Sequence, residues 1–271
     1  MNELEAMWAL TWRDLVRFLR DRSQVMGALA RPLLWLVFMG KGLSASVHLS
    51  GGVGYQHFVF AGAIAMAVLF GGMFQGVTII WDREFGFLKE VLVAPISRIT
   101  IVLGKTLSGT AVTIVQGCLT LVFAPLVGLH LTLGAGFALV GVIAILSLGM
   151  SAMGVVLATR MQTFEGFGII SNFVIMPLYF LSGGVFPVEH LPRWMAVLVR
   201  VNPVTYGVDL MRHALAQPSV FGVGLDLFVL LGFAAAMVML ALIWFRREYA
   251  LPRISRPSDC HPRKLPGRAL A

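Results

Sequence analysis

The sequence predicts an all-α integral membrane protein with six transmembrane helices, and three observations predict it. First, 58% of the 271 residues are hydrophobic and only 13% are charged, with a mean hydropathy of +0.85. A soluble domain is about half apolar and about a quarter charged. Second, the apolar residues fall in runs long enough to cross a bilayer, which takes roughly 20 residues as a helix. Third, the 21 lysines and arginines gather at the ends of those runs, as membrane topology requires. That clustering accounts for the net charge of +8 and leaves no need for a nucleic-acid partner. Twenty-nine glycines suit close helix packing in lipid, and the methionines serve as flexible packing filler. Cys118 and Cys260 are too few for a disulfide framework.

Residues 1–24 read as a cytoplasmic interfacial helix. Leu4, Met7, Trp8, Thr11, Trp12, Leu15, Val16, Phe18 and Leu19 share one broad face of a helical wheel. Arg13, Arg17 and Arg20 occupy the opposite face, with Asp14 and Asp21 on its flank. Such a helix lies in the headgroup region, tryptophans down and arginines up. A transmembrane unit over 25–245 follows. Its first span, 25–46, holds Arg31-Pro32 near its start and Lys41 near its end, both able to snorkel. The second, 57–80, carries a Gly72-xxx-Gly76 close-packing pair. A charged island then runs to residue 104. The third span covers 105–127 and the fourth 134–158, and a small loop with Arg160, Gln162 and Glu165 leads to the fifth, 167–187. Within 188–220, Pro192 and Pro203 can each open a short helix. Both helices are too short and polar to cross, which places them at the far surface with a dip back into the membrane left open. Asp209 and Arg212, at i and i+3, read as a helical ion pair. The last span is 221–245, and 246–271 is a basic, proline-broken tail expected to be disordered.

Lysine and arginine bias sets the orientation. Arg13, Arg17, Arg20, Arg22, Arg83, Lys89, Arg98, Lys105, Arg160 and the tail fall on one side. The other side has none in its first two loops and only Arg193, Arg200 and Arg212 in its third. Both termini and the charged island are therefore expected to be cytoplasmic, in a bacterial inner membrane. The island, WDREFGFLKEVLVAPISR over 81–98, is too charged for lipid. Trp81, Phe85, Leu88 and Leu92 form one apolar stripe, with Arg83 and Glu90 pointing away. Asp82 and Glu84 fall in its first turn, where acidic side chains suit the helix dipole, and Pro95 ends it. An ordinary membrane-skimming loop is one account. A short helix that docks in a soluble partner's groove is the other.

Two strings imitate ATP-binding motifs. Gly104-Lys105-Thr106 looks like the end of a phosphate-binding loop, but the glycine that loop needs five residues earlier is Ile99. Leu181-Ser182-Gly183-Gly184 resembles an ATPase signature yet closes an apolar span. Two further function classes stay open. An intramembrane hydrolase would use the His57, His190, His213 and Ser182 region, although no metal-binding or nucleophile-elbow spacing is present. An ATP-independent secondary transporter would need coupling carboxylates inside spans, and none stands out in a span core.

Two long strings carry a resemblance to a known family. WDREFGFLKEVLVAPISRITIVLGK resembles the cytoplasmic segment between the second and third spans of ABC-2-type transporter permeases. PLYFLSGGVFPVEHLPRWMAVLVRVNPVTYGVDLMR, 177–212, resembles their C-terminal signature region. The likeness is greatest to the branch of daunorubicin-type drug exporters and nodulation-signal (lipo-oligosaccharide) exporters. It covers nearly the whole chain apart from the tail. The resemblance implies a permease subunit that is not itself an enzyme, moving a drug, glycolipid or lipid-linked saccharide outward, as in multidrug efflux. It implies a second permease subunit, read as a homodimer, and two copies of a separate ATP-binding subunit that holds ATP and Mg, with no cofactor in this chain. Residue by residue it implies that Asp82, Arg83, Glu84, Phe85, Gly86, Leu88 and Lys89 form a coupling helix on the ATPase, with Glu165 as a second, weaker contact. The N-terminal helix, with Trp8, Trp12, Arg13 and Arg17, would transmit that motion along the membrane. Gly72, Gly76, Gly183 and Gly184 would be bend points, and Pro187, Asn202 and Pro203 would belong to an outer gate.

Overall fold

Polar side chains set where the helices start. The Asp21 carboxylate accepts from Ser23 N at 3.0 Å and Gln24 N at 3.3 Å, so it separates α1 (Glu3–Arg20) from α2 (Arg22–Trp35) by satisfying the first free backbone donors of the second helix. The computed structural model describes residues 3–42, 54–85, 97–129, 131–188 and 191–250. Among these residues every regular element is helical. α2 continues into a π-helical turn, Leu36–Lys41. Then come α3 (Tyr55–Phe74), α4 (Val77–Glu84), α5 (Arg98–Leu121) with a 3-10 turn at Ala124–Val127, and α6 (Leu133–Arg160). α7 (Phe164–Phe180), α8 (Arg193–Val201), α9 (Pro203–Ala214) and α10 (Val223–Ala250) complete the chain. Ser97, Thr132, Thr163 and Asn202 cap α5, α6, α7 and α9 in the same way as Asp21.

Among the described residues, five helical stretches are long and apolar enough to cross a membrane: Arg22–Lys41, Tyr55–Glu84, Ile99–Val127, Leu133–Arg160 and Val223–Arg247. The sixth apolar helix, α7, has 17 residues. At about 1.5 Å per residue it spans about 25 Å, short of the roughly 30 Å hydrocarbon core. The fifth span expected over 167–187 therefore stops at Phe180, and irregular backbone carries on. Gly183 there takes φ +74°, which side chains with a Cβ rarely adopt. Its neighbours close the exposed backbone groups: Tyr55 Oη donates to Val185 O at 3.2 Å, Asn202 Nδ2 to Leu178 O at 2.7 Å, and Arg212 to Gly183 O. Non-helical backbone at membrane depth is tolerated only when buried in protein in this manner.

The core centres on α3 and α6, which hold most of the fully buried side chains. They touch where side chains are missing. A Cβ at Gly72 would lie 2.7 Å from the Met150 Cβ, and one at Gly76 2.7 Å from the Gly154 carbonyl carbon. The small-residue pair read from the sequence is thus the α3–α6 crossing. α2, α5, α7 and α9 pack around α3, and α10 packs along α6.

Three local expectations are corrected. Residues 81–84 are not the first turn of a separate surface helix but the end of the second span, which runs on to Glu84 and is interrupted only at Gln75-Gly76. Asp82 and Glu84 consequently sit in a last turn, where the dipole does not favour them. The third span begins at Arg98 rather than 105, so Lys105 is two turns inside α5. Finally, α9 is no surface helix, because Val204 through Arg212 are all buried. Residues 43–53, 86–96 and 251–271 lie outside the described residues, and so do Gly86, Leu88, Lys89, Leu92, Pro95 and His190.

Candidate functional site

At the end of the bundle that carries α1, four charges from three helices meet. Lys105 of α5 places Nζ 2.5 Å from Asp82 Oδ2 on α4 and 3.5 Å from Asp14 Oδ2 on α1. Arg13 of α1 reaches Asp14 Oδ1 at 2.9 Å and Asp82 Oδ2 at 3.9 Å. Ser108, one turn beyond Lys105, donates to Asp14 Oδ2 at 2.6 Å. The side chains of Lys105 and Asp14 are 5% and 7% exposed. Two cations and two carboxylates balance, which is the condition for holding charge away from water. Burial works to raise the Asp14 pKa, but Lys105, the Ser108 hydroxyl and Arg13 outweigh it and hold the carboxyl below its ordinary value.

The sequence explains how α1 comes so close. Gly104 removes a side chain where α1 crosses α5: a Cβ there would sit 3.0 Å from Leu10 Cδ1. The lysine of the rejected phosphate-loop string thus lies beside the glycine that admits α1. The wheel of α1 divides into three faces rather than two. Leu4, Trp8, Trp12 and Leu19 form an exposed apolar ridge, with the two indoles stacked at 6.1 Å. Asp14 turns inward with Ala6 and Phe18. The flank position read from the wheel was too coarse to show that burial.

The last turn of α4 is held on its other side as well. Arg83 Nη1 donates to Met161 O at 3.1 Å, and the Trp81 ring packs on Phe164 at 5.9 Å. The Arg17 guanidinium lies 5.2 Å from the Trp81 ring centre. Asp82 and Arg83 therefore have their contacts inside the chain. Glu84, Phe85 and Glu165 are exposed, Phe85 at 83%. The residues grouped together by the sequence thus fall into an inner set and an outward tip.

At the opposite end, Asn202 caps α9 through Val204 N at 3.0 Å, and Pro203 follows at the first helical position. Gly184 packs against α3 at Gly62, where a Cβ would stand 2.8 Å from the Gly184 carbonyl carbon. Pro187 lies near the end of the described irregular stretch, half-buried. The expected Asp209–Arg212 pair gives way to other bonds. The Asp209 carboxylate accepts from Val220 N and Phe221 N at 2.8–3.1 Å, while Arg212 lies over the Phe58 ring at 3.9 Å. Ser182 Oγ donates to the Tyr179 carbonyl and accepts from Gly184 N. His57 Nε2 bonds to Val127 O. These groups serve turn and cap structure, an arrangement that offers no nucleophile–base pair. Asp226 was missed. It is fully buried in the first turn of α10, with the Asp209 carboxylate beside it. A lone acidic residue five positions into an apolar run was the available signal.

A bundle of apolar helices around a buried glycine crossing, with an amphipathic helix ion-paired to the emerging end of one span, defines a multi-pass membrane protein. Residues 5–216 match the ABC-2 type transporter family. The chain belongs to that family and is a membrane permease subunit of an ABC transporter. Nodulation protein J of Rhizobium leguminosarum bv. trifolii is 29% identical over 209 residues, covering 76% of this chain and 79% of that one. Nodulation protein J of Rhizobium meliloti (strain 1021) is 28% identical over 256 residues, covering 90% and 92%. A protein described as a transport permease, ycf38, of Porphyra purpurea is 27% identical over 216 residues, covering 78% and 74%.

Proposed function

We propose that this permease subunit exports a lipophilic or amphipathic cargo, driven by a separate ATP-binding chain that docks around Glu84, Phe85, the segment 86–96 and Glu165. The observation that carries the reading is the build of α4. It prolongs the α3 span, presents an exposed Phe85 tip, and is ion-paired through Asp82 to both α1 and α5. A push on that tip reaches three helices at once, which suits a lever between packed arrangements. Family membership supports the ATP-binding partner, and the lysine and arginine bias supports cytoplasmic termini in a bacterial inner membrane. The assembly is two copies of this chain with two ATP-binding subunits, which hold the ATP and Mg. Gly183, Gly184, Pro187, Asn202 and Pro203 serve the outer gate, and Gly72 and Gly76 the crossing about which the helices shift.

The test is co-expression of the full chain with its ATP-binding subunit. Phe85→Ala and Glu84→Arg are expected to keep the thermal stability of the permease while lowering co-purification and permease-stimulated ATP hydrolysis at least tenfold. Full co-purification and full stimulation in both variants would remove the docking assignment.

A further inference from the structure

A cleft of about 360 Å³ lies between α2 and the α3–α4 run, with Gln116 of α5 at its back. Gln24, Gly27, Ala28 and Arg31, at i, i+3, i+4 and i+7, make its α2 wall. The opposite wall runs from Ala67 to Trp81, about 20 Å along the helices. That volume matches a small-ligand site. Most of the lining is apolar, and it includes no carboxylate. Three polar groups converge on it without partners. Among the described residues, the Arg31 guanidinium has no acidic neighbour and lies 4.4 Å from the Phe70 ring centre. The side-chain amides of Gln75 and Gln116 likewise take part in no hydrogen bond there. Gln116 is given access by Gly71, where any Cβ would collide with its amide. Arg31 is exposed at the mouth of the cleft. It stands nine residues into the span, about 13 Å from its start. A cation with no ionic partner among the described residues, within a stretch apolar enough to cross a membrane, points to a ligand path or site.

We infer that this cleft binds the headgroup of an anionic amphiphile, phosphate- or carboxylate-bearing, whose apolar chain stays in the surrounding lipid. Arg31 takes the anion through its planar fork of donors, Gln75 and Gln116 donate to the remaining oxygens, and Phe70, Phe74 and Trp81 cover the first carbons of the chain. The inference rests on the exporter reading, since it names the class of cargo drawn from the cytoplasmic leaflet. Trp81 and Thr78 belong to α4, so an occupied cleft bears directly on the proposed lever.

The experiment uses the full-length permease in phosphatidylcholine nanodiscs, without an ATP-binding subunit, titrated with dodecyl phosphate and read by tryptophan fluorescence. A Trp81→Phe variant assigns the signal to the cleft. Saturable binding is expected, weakened at least tenfold by Arg31→Gln and partly kept by Arg31→Lys. Gly27→Leu should weaken it strongly by filling the cleft, and since a Cβ at Gly27 meets nothing within 4 Å, an unchanged thermal midpoint of this variant shows that the loss is not one of folding. Unchanged binding in Arg31→Gln and Gly27→Leu would overturn the inference. So would inorganic phosphate or dodecyl maltoside binding as tightly as dodecyl phosphate. Loss of a dimer in native mass spectrometry of Arg31→Gln, with probe binding intact, would assign Arg31 to a contact between copies and overturn it too. Repeating the titration with phosphatidylglycerol in the disc separates the sources. Competition identifies a membrane phospholipid as the occupant, and its absence identifies a distinct cargo, the anionic-amphiphile chemistry standing in both. Arg31→Gln should still co-purify with the ATP-binding subunit, so failure here and failure of the exporter reading are told apart.

Discussion

Replacing Lys105 by Met tests whether the four-charge cluster holds α1 and α4 to the bundle. At an effective dielectric of about 20, Lys105 attracts Asp82 at 2.5 Å by about 6–7 kcal/mol and Asp14 at 3.5 Å by about 5 kcal/mol. Removing the lysine also relieves its own desolvation, which returns several kcal/mol. The net cost expected for an orphaned buried carboxylate is then about 3–5 kcal/mol, against at most about 1 kcal/mol for an exposed pair. For a chain of this size that is a fall of about 10 °C in the unfolding midpoint, measurable by fluorescence-detected size exclusion of the solubilised permease. Asp82→Asn in the same chain should recover part of the loss, because it removes the carboxylate left unpaired. The cluster also has a pH signature. The Asp14 carboxyl is held below its ordinary value, so its stabilisation is present above the unfolded-state pKa of about 3.8 and is lost only as pH falls through the lower native value. The contribution of Asp14 should therefore be constant between pH 5 and 8. A Lys105→Met variant within 2 °C of the wild type would refute the claim that the charges bind these helices together.

Two further predictions concern packing and the buried acid. Gly62→Ala should lower stability by about 1–3 kcal/mol, because its Cβ would run into the Gly184 backbone rather than a movable side chain. Gly27→Ala, with open space at its Cβ, should change stability by less than about 1 kcal/mol. Thermal midpoints of the two check the contrast, and equal effects would discredit the close approach of α3 to the 181–187 turn. Asp226→Asn should leave stability unchanged or raise it, since it removes one of two carboxyl groups buried side by side and leaves an amide that can donate to Asp209. A fall of 5 °C in the thermal midpoint would refute that reading.

The bundle was legible because lipid imposes a simple rule. A run of about 20 apolar residues must be helical and must satisfy its own backbone, so Tyr55–Phe74, Leu133–Arg160 and Val223–Ala250 can be read from hydropathy alone. Proline and capping signals likewise gave the two short helices after Pro192 and Pro203. Boundaries failed where charge and hydropathy disagree. The helix through Trp81–Glu84 was cut at its first charges, because the rule that excludes charge from lipid does not know that Lys105 neutralises Asp82. The same reasoning puts Lys105 at the very start of the third span, seven residues after the helix begins. The fifth span was drawn too long for the opposite reason. Leu181 to Pro187 is apolar, yet Gly183 with its positive φ and the bonds from Tyr55, Asn202 and Arg212 replace helical hydrogen bonds with tertiary ones.

The functional end shows the limit of one-dimensional patterns more sharply. A wheel sorts Asp82, Arg83, Glu84 and Phe85 by angle, which suffices to find an amphipathic tip but not to say which side chains are free to meet a partner. Tertiary neighbours decide that. Asp82 is taken by Lys105 and Arg13, and Arg83 reaches the Met161 carbonyl, which leaves Glu84 and Phe85 outward. The same split separates the phenotypes. Substitutions at the inner residues should act on stability, and at the outer ones on coupling with stability kept. If the proposed docking holds, a segment that looks like one docking helix in the sequence has two tasks, anchoring a lever on one face and offering it to a partner on the other.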